Sequence, residues 1–361
     1  MAATRNNRRL GQILRTVTQF YLGCLGVRRF PSSLFWMITW ECNSRCLHCE
    51  WGKPSGGEQL PLSRIKATVS EAKAHGASHI AFAGGEAFLR RDFLEIIRHC
   101  KDEGFAVTVS SNGFLMKDAA FARRVVETGI DRLDISLDAA DRVHDELRGV
   151  RGAFGMVDAA LDNLSALKRE RDFFISLNVV VSGFNLHKLP DIFAYARRKG
   201  VDGVGLQPFH PVQARDKGLI PKFMLGGGQI AGLRKTLKKI IAEYGDLVSN
   251  SKFFVENIPR YYENPAMPAM GCYAGLQEIH LYPDGSISGC CFLKGTDSVR
   301  TRSLKELLAS EAFKDILRKT RAKKCPHCWS PPVHEYNLLL SPKALLSGFK
   351  LAKTYLRWSR R

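Results

Sequence analysis

From about residue 35 to residue 245, short apolar runs alternate with amphipathic segments of helix length. The runs Phe35–Glu41, His79–Ala83, Ala106–Ser110, Arg132–Leu137, Phe173–Val181 and Gly203–Pro208 are rich in Val, Ile, Phe and Leu. That composition predicts strands buried on both faces. The segments Leu62–His75, Asp92–Glu103, Lys117–Thr128, Phe154–Glu170 and Leu189–Lys199 read as helices. Glycines at 76, 104, 129 and 200 supply the usual helix stops. Six strand-then-helix units in a row predict an α/β fold with a parallel sheet, curved into a partial (β/α)6 barrel of the TIM type. Chemistry in such barrels sits on the loops at the C-terminal ends of the strands.

After residue 250 the pattern changes. Pro259, Pro265 and Pro268 are expected to break the chain. Cysteines then cluster between 272 and 328 around a helical stretch, Ser303–Lys319, as in a small metal-stapled α+β domain. The expected organisation is a basic extension over 1–30, a core domain over 31–250, an auxiliary domain over 251–335 and a basic amphipathic tail over 336–361. There is no internal repeat and no low-complexity segment.

A chain of 361 residues is long enough for one large domain and a smaller one. It has no run of the ~18–20 apolar residues that span a bilayer. The net charge of +19 is concentrated at the ends, where residues 1–30 and 341–361 each carry six Lys or Arg and no acid. This distribution argues against a nucleic-acid groove across the core. It suits peripheral contact of basic tails with an anionic membrane. In the last stretch Leu345, Leu346, Phe349, Leu351, Tyr355 and Leu356 interleave with Lys343, Lys350, Lys353 and Arg357. Such a helix lies on a membrane or packs on the barrel. The N-terminus lacks the apolar region and cleavage site of a secretory signal, so a cytoplasmic location is expected. Ten cysteines in such a chain point to metal rather than disulfides, with Cys24 and Cys100 as ordinary buried thiols.

Directly after the first strand stands Cys42-Asn-Ser-Arg-Cys46-Leu-His-Cys49. Three thiolates within eight residues can wrap one cubane cluster and leave one of its four irons open. A zinc loop would ordinarily use two C-x2-C pairs or histidine partners, and packing cysteines would not gather in one loop. The C-x3-C-x2-C spacing after the first strand resembles the radical S-adenosylmethionine (SAM) superfamily, and the likeness extends over roughly residues 35 to 250. It implies that Cys42, Cys46 and Cys49 hold a [4Fe–4S] cluster whose open iron chelates the methionine part of SAM, with His48 near the adenine. Gly84-Gly85-Glu86 ends the second strand and resembles the family motif that holds the methionine amine. Ser111 and Asn112 border the ribose and cluster pocket by the same likeness. Asp134, Ser136 and Asp138 share one strand face by their period of two, toward the lumen. Ser136-Leu-Asp138, followed by Arg148-Gly149, resembles the branch in which the serine and arginine help bind the cosubstrate. Arg148 is then the candidate for the methionine carboxylate. Asn178 and Gln207 are weaker candidate contacts, and His210 is a proton carrier or a structural histidine.

The second cysteine group comprises Cys272, Cys290, Cys325 and Cys328, with Tyr282-Pro-Asp-Gly285 as a hairpin signal between the first two. Four converging thiolates hold a [4Fe–4S] cluster or one zinc. Cys291 is an alternative to Cys290 as ligand, although the Gly285-x4-Cys290 spacing favours Cys290. This stretch resembles the start of the SPASM auxiliary domain, shortened to the single-cluster twitch form. The resemblance implies an auxiliary [4Fe–4S] cluster, with zinc as the lesser alternative. It further implies an oxidoreductase that cleaves SAM reductively and abstracts hydrogen from its substrate through a 5′-deoxyadenosyl radical. Flavodoxin or ferredoxin would supply the electron. The expected substrate is a sugar, cyclitol or lipid-linked small molecule undergoing two-electron oxidation or rearrangement. The alternatives are a peptide or protein side chain, or, in another class, a non-catalytic iron–sulfur or zinc protein.

Overall fold

A computed structural model describes residues 30–52, 58–266, 272–295 and 297–339 of the chain. Eight strands form one sheet: β1 (Ser33–Met37), β2 (His79–Ala83), β3 (Ala106–Ser111), β4 (Arg132–Ser136), β5 (Phe174–Val181), β6 (Gly203–Pro208), β7 (Glu278–Leu281) and β8 (Ile287–Ser288). Their order is β6-β5-β4-β3-β2-β1-β7-β8. All pairs are parallel except the β7–β8 hairpin. The crossovers carry α1 (Leu62–Ala74), α2 (Phe93–Asp102), α3 (Ala119–Val126), α4 (Arg142–Arg148) with α5 (Ala153–Leu167), and α6 (Leu189–Lys199). The sheet curves without closing, as a partial barrel whose outermost strands are β6 and β8.

The two faces of the strands differ sharply. Leu34, Trp36, Ile80, Phe82, Val107, Val109, Leu133, Ile135, Leu177 and Leu206 are fully or almost fully buried in one hydrophobic core. Each apolar Å² removed from water there contributes roughly 25 cal/mol. The alternate residues Ala81, Thr108, Ser110, Ser136, Asn178, Gly205 and Gln207 remain partly exposed. They line an open lumen of small and polar side chains.

Strands β2 and β6 and helix α6 coincide with the sequence reading. Strand β1 does not: it begins at Ser33 and ends at Met37, short of the expected Glu41. Beyond Met37 the chain peels off to follow the end of β2, where Ile38 N donates to Ala83 O at 2.9 Å and Gly85 N to Thr39 O at 2.9 Å. The expected break at Pro259 is also absent. Pro259 lies inside a helix, Lys252–Glu263, which follows a longer one, Gly227–Tyr244. Ser251 caps the proline-bearing helix by accepting from Phe254 N at 3.1 Å, and Phe254, Val255, Ile258, Tyr261 and Tyr262 bury its inner face. That burial and cap offset the single hydrogen bond a proline forfeits.

The stretch Ser303–Lys319 is two helices, Leu304–Ala309 and Glu311–Arg321, because Ser310 stops the first and caps the second through Phe313 N at 3.2 Å. A last helix spans Pro331–Leu339. The C-terminal segment does not stand apart from the barrel, since β7 continues the core sheet beside β1. The two basic ends and Cys24 lie outside the described residues, whereas Cys100 is fully buried. Among the described residues no helix is long and apolar enough to cross a membrane.

Candidate active site

Cys42, Cys46 and Cys49 lie on the loop that leaves β1. Backbone contacts with the end of α4 hold it in place: Arg45 N donates to Arg148 O at 2.9 Å, and Leu47 N to Leu147 O at 2.9 Å. Ser44 Oγ donates to Arg148 O at 2.9 Å and lies 3.2 Å from Cys46 Sγ. Gly149 takes a left-handed φ of 61°, and a Cβ there would stand 2.7 Å from Arg45 O. The Arg148-Gly149 pair is thus a seat for the cysteine loop.

The glycines after β2 play a similar part. A Cβ at Gly84 would lie 2.7 Å from Thr39 O, and one at Gly85 2.7 Å from Trp40 O. What approaches them closely is the backbone running into Cys42. We expect Gly85→Ala to push that backbone aside, costing about 1–3 kcal/mol as overpacking does. Iron bound per chain should fall with it, and a variant that loads and melts like wild type would contradict this placement.

Glu86 is 2% exposed. Its Oε1 accepts from Ser111 Oγ at 2.9 Å and Phe88 N at 3.2 Å, and its Oε2 accepts from Asn112 N at 2.8 Å. Burial raises its pKa, with the three hydrogen bonds opposing. Asn112 Nδ2 in turn donates to Asn43 Oδ1, beside Cys42, at 2.6 Å. The structure brings the cosubstrate candidates Glu86, Ser111 and Asn112 together and adds Asn43, which the sequence did not single out.

Arg148 and Asp138 form a buried ion pair at 2.8 Å. The guanidinium also points an N–H at Cys46 Sγ, 3.7 Å away. Asp138 is fully buried and accepts from Val180 N at 3.0 Å. Burial alone would raise its pKa, but Arg148, with His48 and His144, holds it below the usual carboxylate range. His144 accepts the Asp138 N–H at 3.1 Å and is kept neutral by burial. Arg148 therefore has a carboxylate and a cysteine sulfur beside it, a part its family likeness did not indicate. Ser136 and Asn178 face each other in register across β4 and β5 with Gly205 beyond, and Gln207 lies one level further along β6. His48 packs edge-on to Phe223 with ring centres 6.1 Å apart.

The second cysteine group borders the edge of the sheet. Gly275 and Gly289 bring Cys272 toward Cys290: a Cβ at Gly275, whose φ is 81°, would stand 3.0 Å from Gly289 Cα. Ser288 Oγ ties the turn after β8 by donating to Cys290 O at 2.9 Å and accepting from Cys290 N at 3.2 Å. His327 holds a left-handed φ of 58° between Cys325 and Cys328. Burial raises the pKa of Cys328, and Cys290, Cys272 and Cys325 all add to the rise, so the four sulfurs share one neighbourhood.

The residues fit the groups that such a site takes. Trp40 Nε1 and Arg148 Nε, both beside the first cysteine loop, are buried without a hydrogen-bond partner, as donors awaiting a bound acceptor would be. Among the described residues no three His, Cys, Asp or Glu side chains close around a single ion.

A partial parallel barrel with three thiols on its first loop and four more at its edge defines an enzyme of the radical SAM superfamily, to which this chain belongs. It matches the Radical SAM superfamily over residues 37–196 and an iron-sulfur cluster-binding domain over 272–329. Its cofactors are SAM and [4Fe–4S] clusters. Its relatives include a probable GTP 3′,8-cyclase of Sulfurisphaera tokodaii, 29% identical over 71% of this chain and 79% of that one. The AdoMet-dependent heme synthase of Methanosarcina barkeri is 31% identical, but over only 47% of this chain and 48% of its own length. Among solved structures, Streptococcus suis SuiB bound to precursor peptide SuiA superposes with a TM-score of 0.65 at 15% identity, covering 87% of this chain and 74% of that chain. Native anSMEcpe with bound AdoMet gives 0.63 at 17%, covering 83% and 88%.

Proposed function

We propose that this enzyme abstracts hydrogen from a small, non-anionic, hydroxyl- or amine-bearing molecule, of the sugar, cyclitol or lipid-linked kind, held in the lumen of the sheet. The product is then that of a two-electron oxidation. The observation that carries this reading is the lining of the lumen. Among the described inward-facing strand positions the one permanent cation is Arg132, and it is paired with Asp134 at 2.6 Å. A nucleoside triphosphate or a polycarboxylate substrate calls for several Arg or Lys donors. Hydroxyls and amines need only the Ser110, Ser136, Asn178 and Gln207 kind of partner.

When bound, the cluster and SAM supply the electron and the hydrogen-abstracting group. The chain's own residues position and shield. Leu47 of the cysteine loop packs with Leu147, Phe209, Ala214 and Phe223, an apolar patch that keeps water from the loop. Glu86, fixed by three donors, is placed to receive an ammonium. Cys272, Cys290, Cys325 and Cys328 would hold an auxiliary cluster, which would supply an acceptor for the second electron. Reduced flavodoxin or ferredoxin is the proposed donor for the first.

After anaerobic reconstitution, dithionite and SAM should yield 5′-deoxyadenosine. A neutral sugar or an aminocyclitol should accelerate its formation, and GTP should not. Turnover of GTP would sink the substrate reading while leaving the enzyme class intact.

A further inference from the structure

His210 stands two residues beyond β6, an outermost strand of the sheet, and is only 6% exposed. Its Nε2 accepts the backbone N–H of Trp329, which directly follows Cys328, at 3.2 Å. An imidazole nitrogen that accepts is unprotonated, so the ring is the neutral tautomer with its hydrogen on Nδ1. Burial and the nearby His334 hold its pKa down, to about 3. The same ring meets Phe292 edge-on with centres 5.0 Å apart, and Tyr261 at 5.5 Å. Phe292 follows Cys291, and its N–H points at Cys290 Sγ, 3.4 Å away. Behind Trp329, the indole stacks on Phe254 at 5.2 Å and donates to Phe254 O at 3.0 Å. One imidazole therefore touches both halves of the auxiliary cysteine set, the 290–291 turn and the 325–328 turn.

We infer that His210 is a positioning residue that clasps both auxiliary cysteine turns to the β6 edge and keeps the Trp329 N–H away from the sulfur of the group they hold. The inference rests on the auxiliary site being an iron–sulfur site. Its physical content is the destination of one amide. Hydrogen bonds to cluster sulfurs are among the determinants of reduction potential, and a donor next to a ligating cysteine is well placed to make one. With His210 in place, the Trp329 amide is already engaged. With a ring of similar size that cannot accept, the amide is free to turn toward the sulfurs, and the added donor favours the more negative, reduced cluster. Loss of the clasp therefore predicts a higher potential, whereas loss of packing alone predicts a change in stability.

The test uses the full chain carrying Cys42→Ala, Cys46→Ala and Cys49→Ala, reconstituted anaerobically so that only the auxiliary site holds iron. His210→Phe keeps ring packing and removes the acceptor, while His210→Gln offers a carbonyl acceptor. We expect H210F to retain iron but show altered EPR g-values and a higher midpoint potential, and H210Q to move both back toward the parent. Identical spectra and potentials in all three proteins would overturn the inference. If the parent with His210 holds no iron, the auxiliary-site reading fails first and takes this inference with it. Should H210F not fold, amide hydrogen exchange in the unaltered chain decides. A protected Trp329 N–H supports the clasp, and rapid exchange there overturns it.

Discussion

Replacing Cys42, Cys46 and Cys49 together by alanine is expected to abolish 5′-deoxyadenosine formation, from measurable turnover to background. Iron should fall from about eight to about four atoms per chain, since each cubane holds four. Backbone bonds to Arg148 O and Leu147 O hold the loop in place, and so does Arg215 Nε to Cys49 O at 3.2 Å. None of these involves a thiol. The triple variant should therefore fold with its cysteine loop in place and lose only the sulfur donors. Cys46 is buried, and Cys42 and Cys49 are partly so, with burial pushing the Cys42 thiol up to about 12. Thiols so disposed are inert unless a metal takes their protons. Retention of both the product and the full iron content would show that the first cluster is held elsewhere. Loss of product with unchanged iron would separate the cosubstrate's binding from the cluster's.

Much of this site could be read from residue order because parallel strands carry strong local signals. His79–Ala83 and Gly203–Pro208 are apolar runs flanked by turn residues, and both emerge with those bounds. The chemistry-bearing residues fell at strand ends, where crossover topology gathers them, so Glu86, Ser111 and Asn112 could be grouped before any coordinates. What was not legible depends on contacts distant in sequence. Asp138 lies ten positions before Arg148, and nothing in that separation reveals a fully buried pair. Gly84 and Gly85 read as glycines that admit a ligand, yet their nearest neighbours are the Thr39 and Glu41 carbonyls. The joining of β7 to β1 spans 245 positions between Ser33 and Glu278. It lays the first strand of the cysteine-bearing C-terminal domain against the barrel sheet. Pro259 misled for a different reason, because tertiary burial of Phe254, Ile258 and Tyr262 outweighs one lost backbone bond.

The Asp138–Arg148 pair should be the costliest single contact to break outside the cysteines. Arg148→Met leaves the Asp138 carboxylate fully buried without its cation, and Asp138→Asn leaves the guanidinium facing Cys46 alone. Breaking one side of a buried pair ordinarily costs about 3–5 kcal/mol, since the remaining charge keeps its desolvation penalty and loses its partner. Replacing both by apolar residues of similar volume, as in Asp138→Leu with Arg148→Met, removes that stranded charge. The double variant is expected to be more stable than either single one, and anaerobic denaturant midpoints would measure the difference. Stability and activity should then part company. Arg148 contributes its backbone carbonyl to Arg45 N and its guanidinium to Cys46 Sγ, so the double variant keeps the seat of the loop but not the cation beside the thiolate. It should fold and still cleave SAM poorly. If the single substitutions shift the midpoint no more than a surface pair does, under about 1 kcal/mol, the pair is not buried as described. If the double variant cleaves SAM at the parent rate, the positive charge beside Cys46 has no part in that reaction.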